Sequence, residues 1–218
     1  MRLSLPAISL TLAASLMSST AAFASDAESP WQFRVRAVVV SPDDSSTITP
    51  IGGDTDHSTS VVPELDISYF FNDNVSAELI LGVTKHRGTA VGTALGDIDL
   101  GTVWLLPPTL TAQYHFAPGA KVNPYVGAGV NYTIFFSEDG LPAGSPLVSV
   151  DHDASFGPAL QAGVDIKINE DSDWFFNVDV KKIWMNTDTT IDAGALGIVT
   201  ADVNLDPWLF GVGVGRRF

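Results

Sequence analysis

The chain of 218 residues carries 25 acidic and 11 basic side chains, for a formal net charge of −14, and it contains no cysteine. A balance this acidic argues against nucleic acid as a partner, and the lack of thiols excludes a disulfide framework. The length suits one domain, so stability must come from a large core or from a closed hydrogen-bonded sheet.

The N-terminus predicts export. Arg2 is followed by an apolar run over residues 3–17 and then by the small-residue sequence Ala22-Phe23-Ala24. This is the pattern of a cleaved secretory signal peptide, and it is too short to span a bilayer. We therefore expect a signal peptide at residues 1–24 and a mature domain at residues 25–218, with no transmembrane helix later in the chain.

Eight later segments alternate apolar and polar residues, which predicts β-strands with one greasy face. They cover residues 31–41, 60–71, 75–86, 102–116, 123–136, 154–168, 174–187 and the end of the chain, 206–218. Short turns at 72–74, 117–122 and 169–173 alternate with long loops at 87–101, 137–153 and 188–203. This pattern predicts an all-β fold, an eight-stranded antiparallel transmembrane β-barrel with an up-and-down meander.

The last segment, DPWLFGVGVGRRF, gives the clearest indication of where such a barrel lies. Trp208, Phe210, Val212 and Val214 share one face, and the opposite face is mostly glycine. An apolar strand that ends the chain on an aromatic residue is typical of bacterial outer-membrane barrels. Short turns then lie in the periplasm, where an aromatic girdle is predicted from Trp31, Tyr69, Phe71, Tyr114, Phe116, Trp174 and Phe218; Trp208, Phe156 and Trp184 fall toward the other end.

The inward faces predict two layers in the lumen. Near the short turns we expect a mutually paired cluster of ten charges, because unpaired buried charges are costly: Arg34, Arg36, Glu64, Asp66, Glu78, Asp165, Lys167, Asp179, Lys181 and Arg217. Above it lies an apolar set: Val38, Val62, Ile80, Leu105, Pro107, Phe135, Ile183, Met185, Leu205 and Leu209. The apolar set is either the lining of a ligand-conducting well or a packed core, since eight strands enclose little space.

Strand prolines suggest an irregular wall, because each removes a ladder hydrogen bond. Several of them are predicted to lie above the bilayer or beside a gap in the wall. The set is Pro63, Pro107, Pro108, Pro124, Pro158 and Pro207. Pro124 and Pro207 can be explained as strand ends, whereas Pro63 and Pro158 interrupt apolar alternation. Lys182 falls on the outer face near the outer rim, where its ammonium is predicted to reach lipopolysaccharide phosphates.

Catalysis and metal binding find little support in the sequence. The histidines are His57, His86, His115 and His152, and no G-x-S-x-G motif accompanies them. Neighbouring serine and histidine in a loop is a weak signal, and the pairs Asp54/Asp56, Asp97/Asp99 and Asp151/Asp153 lack the ligand count of a calcium loop. We expect no enzyme, no cofactor and no metal site, with His115 as a hydrogen-bonded lumen residue.

Three stretches, LPPT at 106–109, PYVGAGVNYTIFF at 124–136 and DPWLFGVGVGRRF at 206–218, resemble the OmpW family of small outer-membrane proteins. The resemblance covers essentially the whole mature chain, and it implies an eight-stranded barrel linked to passage of small hydrophobic molecules. One departure is Arg216, where the family usually has an aromatic residue in the signal read by the barrel-assembly machinery.

Two functions of different class follow. The first is passive uptake of a small hydrophobic solute through the apolar lumen, with lateral exit into the membrane above the charged layer. The second is a sealed structural or docking barrel whose loops bind a ligand. Expected partners are outer-membrane lipid and lipopolysaccharide, the barrel-assembly machinery through the C-terminal strand, and the hydrophobic solute.

Overall fold

The computed structural model describes residues 29–43, 45–94, 96–136, 141, 147–194 and 197–218. The predicted signal peptide at residues 1–24 lies outside these ranges. The described residues form fifteen strands. They are β1 (Trp31–Ser41), β2 (Ser45–Thr49), β3 (Asp54–His57), β4 (Ser60–Phe70), β5 (Val75–Gly82), β6 (Thr84–Thr93), β7 (Gly96–Leu106), β8 (Thr109–His115), β9 (Val122–Phe136), β10 (Ser149–His152), β11 (Ser155–Lys167), β12 (Trp174–Ile183), β13 (Asn186–Asp192), β14 (Ile198–Asn204) and β15 (Trp208–Arg217).

Eight of these strands close into a barrel, in the order β1, β4, β5, β8, β9, β11, β12, β15. Every neighbour is antiparallel, and the barrel closes where β1 pairs with β15 from Gln32↔Arg217 to Ser41↔Trp208. Closure leaves the eight strands without a free edge, which is what a sheet in lipid requires. The predicted eight-stranded antiparallel barrel is confirmed.

Alternate residues face the lumen and the outside. On β1 the buried residues are Gln32, Arg34, Arg36, Val38 and Val40, while Phe33, Val35 and Val39 are exposed on the outer face. Eleven residues at about 3.3 Å each, tilted by roughly 40°, rise about 25 Å, the height of an outer-membrane apolar band. Aromatic rings border this band; Trp31 and Tyr69 lie edge to face at the short-turn end with ring centroids 5.0 Å apart.

The long loops are where the prediction is wrong. Residues 87–93, 96–101, 149–152, 188–192 and 198–203 lie in short strands, which together with β2 and β3 extend the wall beyond the apolar band. We call β2, β3, β6, β7, β10, β13 and β14 the crown. It consists of the pairings β3–β6–β7, joined to the end of β9, and a four-stranded sheet in the order β10-β13-β14-β2. The sequences of the crown strands also alternate with a period of two. Polar residues on their outer face make these segments less apolar than the barrel strands.

Three predicted barrel strands are also interrupted, and the one predicted at 174–187 divides into β12 and β13 at Trp184–Met185. The strand predicted at 102–116 divides into β7 and β8 at Pro107–Pro108, and the one predicted at 75–86 divides into β5 and β6 at Val83. Ladder pairing stops at Ile80↔Thr109 and resumes at Thr84↔Leu105. Proline cannot donate to a ladder, so the interruption lies opposite the two prolines. We call residues 81–83 and 106–108 the seam.

Apolar side chains form one continuous core that runs from the barrel into the crown. Val38 and Leu209 lie at its lower end, and Ile48, Ile191 and Val199 lie in the crown. None of the residues that the structure describes belongs to a helix long and apolar enough to cross a membrane.

Candidate functional site

Glycines on the inner face of β15 make room for the large lumen side chains. A Cβ atom on Gly213 would lie 2.7 Å from Cγ of Arg36 and 2.1 Å from the carbonyl oxygen of Val35, and one on Gly211 would lie 3.3 Å from Cδ of Arg36. Because β1 and β15 are neighbours, the missing side chains of β15 leave the space that Arg36 fills.

Arg36 is the centre of the charged layer. Its Nε lies 2.6 Å from Asp66 and 3.0 Å from Glu64, and its Nη1 lies 3.1 Å from Asp179. Lys181 adds contacts of 2.9 Å to both Glu64 and Asp179. Each of these side chains is almost fully buried, so the pairs replace hydration that the lumen cannot provide.

Arg34 forms the lower half of this layer. It pairs with Glu78 and, at 2.8 Å, with Asp165, and its guanidinium lies 5.1 Å from the centre of the Tyr125 ring. Both arginines are on β1 two residues apart, so the strand period places them on the same face. We call the eight buried residues the charged floor: Arg34, Arg36, Glu64, Asp66, Glu78, Asp165, Asp179 and Lys181.

Uncharged polar side chains complete the floor. The Gln161 amide donates to Glu78 and to Asp179, both at 2.9 Å, and the Tyr125 hydroxyl donates to Asp179 at 2.8 Å. Asn177 donates to Asp165 at 2.8 Å. Tyr125 and Gln161 are almost fully buried, and nothing in the sequence linked them to particular charges.

Two of the ten predicted charges do not join the floor. Lys167 ends β11 and donates to the carbonyl of Gly119 at 3.3 Å, and Arg217 lies over the Phe70 ring at 4.0 Å. Within the described ranges neither has an ion pair. Both line an open cavity of about 300 Å³ at the short-turn end, where solvent replaces a partner. The floor therefore holds five carboxylates and three cations instead of five of each.

The ten predicted apolar residues line two adjoining cavities above the floor, which together we call the apolar well. The upper cavity measures about 40 Å³ and the lower about 20 Å³, which is room for a few water molecules. The upper one is lined by Leu105, Pro107, Phe135, Ile183, Met185, Leu205 and Leu209 of the predicted set. Val38, Val62 and Ile80 line the lower one, where Pro107, Ile183 and Leu209 are shared.

Three histidines line the outer part of the well, a position that the sequence did not indicate. His57, His86 and His152 come from three crown strands, β3, β6 and β10. His86 Nδ1 donates to the carbonyl of Ser58 at 2.7 Å. The ring of His152 stacks on Phe135, with centroids 5.2 Å apart and an interplanar angle of 16°. Burial, and then the nearby His57, lower the pKa of His152 to about 4, so this ring is neutral at pH 7.

The seam forms part of the wall of the lower cavity, through Gly82 and Pro107. Among the described residues, no backbone hydrogen bond joins residues 81–83 to residues 106–108. Instead the side-chain amide of Asn131 donates to the carbonyl of Pro107 at 3.2 Å and to Thr109 Oγ1 at 2.9 Å. Pro63 and Pro158 also border ends of ladder pairing, because β4–β5 pairing stops at Glu64↔Gly82 and β11–β12 pairing stops at Ala159↔Ile183. The gap beside the lower cavity lies at Pro107–Pro108.

His115 and Lys182 lie on the faces of the barrel that the sequence predicted. His115 is a buried lumen residue, with Ser76 Oγ at 3.3 Å and Asn123 at 3.0 Å. Lys182 points outward at the rim; its Nζ donates to the carbonyl of Asp206 and lies 3.3 Å from Asp43.

Asp99 pairs with Arg87, whose hydrogen bond lowers the pKa of the Asp99 carboxyl. No three metal-ligating side chains converge among the described residues.

Comparison with known proteins agrees with this architecture. The model of the OmpW family matches residues 28–218. An outer-membrane protein of Sinorhizobium fredii NGR234, y4mB, is 47% identical over 191 residues, which cover 87% of this chain and 80% of that protein. The "Dibenzothiophene metabolism operon protein PahQ" of Pseudomonas aeruginosa is 36% identical over 200 residues, covering 88% of this chain and 90% of that protein.

A solved structure gives the same result for the fold. The crystal structure of the outer membrane protein OprG from Pseudomonas aeruginosa superposes with a TM-score of 0.78 at 30% identity, over 88% of this chain and 97% of that one. Family match and fold agree over the whole described domain. The chain belongs to the OmpW family, and it is a protein of the bacterial outer membrane.

Proposed function

We propose that this barrel is a passive conduit for small hydrophobic molecules, which occupy the apolar well and leave sideways through the seam into the membrane. The proposal rests on the order in which layers of side chains follow one another along the barrel axis. An apolar well is closed below by a buried, ion-paired floor and is bordered on one side by a gap in the ladder.

Desolvation favours entry of an apolar solute into the well, at roughly 25 cal/mol per Å² of apolar surface removed from water. Passage through the floor is unfavourable, because the solute would separate charges that have no water to replace their partners. The floor therefore directs an apolar molecule away from the periplasm, and it also excludes ions.

The seam is the part of the wall that an apolar molecule can cross at least cost. Separating paired strands in lipid breaks hydrogen bonds that nothing replaces. Between residues 81–83 and 106–108 those bonds are already missing among the described residues, and Asn131 holds the Pro107 carbonyl from inside. Opening the wall at the seam moves side chains and breaks no further ladder hydrogen bond.

The name of one relative supports a hydrophobic cargo. PahQ is named for a dibenzothiophene metabolism operon, and that compound is apolar. The small volume of the well supports the other candidate, a sealed docking barrel, because a solute must first widen about 40 Å³ of free space. Contacts with lipopolysaccharide and with the barrel-assembly machinery stay predictions.

The main test is uptake by intact cells with and without the barrel. Ile80→Asp and Leu209→Asp each place an unpaired carboxylate in the well, at a cost of several kcal/mol, and we expect both to slow uptake of a hydrocarbon. Ile80→Leu and Leu209→Ile are matched controls that keep the lining apolar. Folded aspartate variants with normal uptake would favour the docking barrel, whereas large steady ion currents through the purified barrel would contradict a floor that excludes ions.

Lateral exit has its own test, helped by the absence of native cysteine. The register on either side of the seam places Gly82 opposite Pro107. A disulfide between Gly82→Cys and Pro107→Cys should stop uptake, and reduction should restore it. The control pair Ala77→Cys and Ala112→Cys joins directly paired residues of the same two strands and should leave uptake unchanged. Uptake that survives the locked seam contradicts lateral exit.

A further inference from the structure

The outer half of the well has a wall of flat rings. Phe135 is the second-last residue of β9 and His152 is the last residue of β10, and both line the upper cavity. Their rings are nearly parallel, at 16°, with centroids 5.2 Å apart. We call this pair the aromatic shelf. It joins the end of a barrel strand to a crown strand, so it exists only because the tertiary structure brings residues 135 and 152 together.

The shelf differs in chemistry from the rest of the lining. Deeper in the well the walls are aliphatic, formed by Ile183, Leu205 and Leu209, which are almost fully buried. Aliphatic walls give an apolar solute only area-dependent stabilisation. Rings add a preference for other rings in stacked or edge-to-face geometry, beyond the burial of area.

The imidazole of His152 is suited to an apolar ligand. A charged imidazolium would need water in the well, which an apolar solute cannot replace, but burial and the nearby His57 keep this ring neutral above about pH 4. Stacking on Phe135 also fixes its plane. The half-buried shelf stands above the buried aliphatic part of the well, so an entering solute meets rings first.

We propose that the aromatic shelf makes the conduit selective for planar aromatic solutes over aliphatic chains, with Phe135 and His152 as the residues that determine this specificity. The inference rests on the proposed function and names its substrate class. Planar fused-ring hydrocarbons are the class that fits, because they present a ring face to the shelf and apolar edges to the aliphatic walls below.

The test is a competition. Cells that carry the barrel receive phenanthrene and hexadecane together, and the ratio of the two initial uptake rates, each corrected for cells without the barrel, is measured. A ratio is independent of the amount of barrel expressed. Phe135→Leu keeps the well apolar and removes the ring, and we expect the aromatic-to-aliphatic ratio to fall about two- to tenfold. Phe135→Tyr keeps a ring and should retain the ratio.

Matched variants separate selectivity from packing. Phe210→Leu removes a ring from the exposed outer face of β15 and should leave the ratio unchanged, whereas His152→Leu should lower it. In purified barrels, the fluorescence of phenanthrene reports its binding directly, and its displacement by hexadecane reports hexadecane binding. Phe135→Leu should weaken phenanthrene binding more than it weakens hexadecane binding. Because it uses purified barrels, this measurement also tests a variant that assembles poorly in cells.

Three results would overturn the inference. The ratio could stay the same in Phe135→Leu and His152→Leu while the unaltered barrel takes up both solutes, in which case the conduit stands and the shelf has no part in selection. Both solutes could be slowed equally, which would assign the shelf a structural role. If the unaltered barrel takes up neither solute faster than cells without it, the proposed function itself fails.

Discussion

The side-chain amide of Asn131 donates a hydrogen bond to the carbonyl oxygen of Pro107 across 3.2 Å. The bond joins β9 to the seam from the lumen side, at the place where proline has removed the ladder. A buried carbonyl in a membrane barrel needs a donor, and here a side chain provides one. The wall is thus irregular in its backbone, yet this carbonyl keeps a hydrogen bond.

We therefore expect Asn131→Leu to lower the free energy of unfolding by about 1–3 kcal/mol, the usual cost of leaving a buried acceptor without a partner. Urea unfolding in detergent micelles measures the change. Asn186 lies at an exposed position of β13, away from the seam, and Asn186→Leu is a control for the loss of an asparagine elsewhere. A loss no larger in Asn131→Leu than in this control would show that Pro107 finds another donor.

The charged floor predicts a large effect at Arg36. Arg36→Ala leaves Asp66, Glu64 and Asp179 without their shared partner in a buried site, and we expect stability to fall by roughly 3 kcal/mol or more. In Asp173→Ala the lost pair is with Arg216 at the surface, where the Asp173 side chain is 62% exposed, so the loss should be about 0–1 kcal/mol. Equal losses in the two variants would contradict a cooperative floor.

His152 makes the stability of the crown depend on pH. Its folded pKa of about 4 lies below the ordinary value of 6.5, so the unfolded chain binds a proton at a pH where the folded chain does not. The stabilising contribution of the neutral ring is complete above pH 6.5 and decreases as the pH falls toward 4. His57 faces the ring and opposes its charging, while Asp151 favours it.

The measurement is urea unfolding over this pH window, followed in the unaltered barrel and in His152→Phe. The variant keeps a ring to stack on Phe135 and cannot titrate, so its stability should change less between pH 6.5 and 4. Parallel curves for the two proteins would assign the pH dependence to other groups.

Glycine on the lumen face of β9 predicts a steric effect. A Cβ atom at Gly129 would lie 1.9 Å from the carbonyl oxygen of Leu110, so Gly129→Ala must displace the backbone of β8. At Gly82 the nearest atom to such a Cβ is the carbonyl oxygen of Pro63 at 3.6 Å, an ordinary contact. Heat-modifiable migration on gels should show poor assembly for Gly129→Ala and normal assembly for Gly82→Ala; equal assembly would mean that β8 can move freely.

The sequence by itself determined the barrel. The period of two in eight segments, the alternation of short turns with long connections and the terminal aromatic strand fixed the strand number, the inward faces and the layering of Arg36 below Leu209. These features are local, because a strand turns each residue to a known side whatever its neighbours are. That is why positions inside the barrel could be named without knowing which strands meet.

Only the tertiary structure decided the partners and the crown. Arg36 meets Asp179 across 143 positions of chain because β1, β15 and β12 are neighbours, and such register is a property of several strands at once. The same reason hid the approach of Phe135 to His152, the seam at Pro107 and the strands within the long connections. Lys167 and Arg217 point inward as expected. The sequence did not indicate that the lumen is open to solvent at the short-turn end, where these two side chains lie.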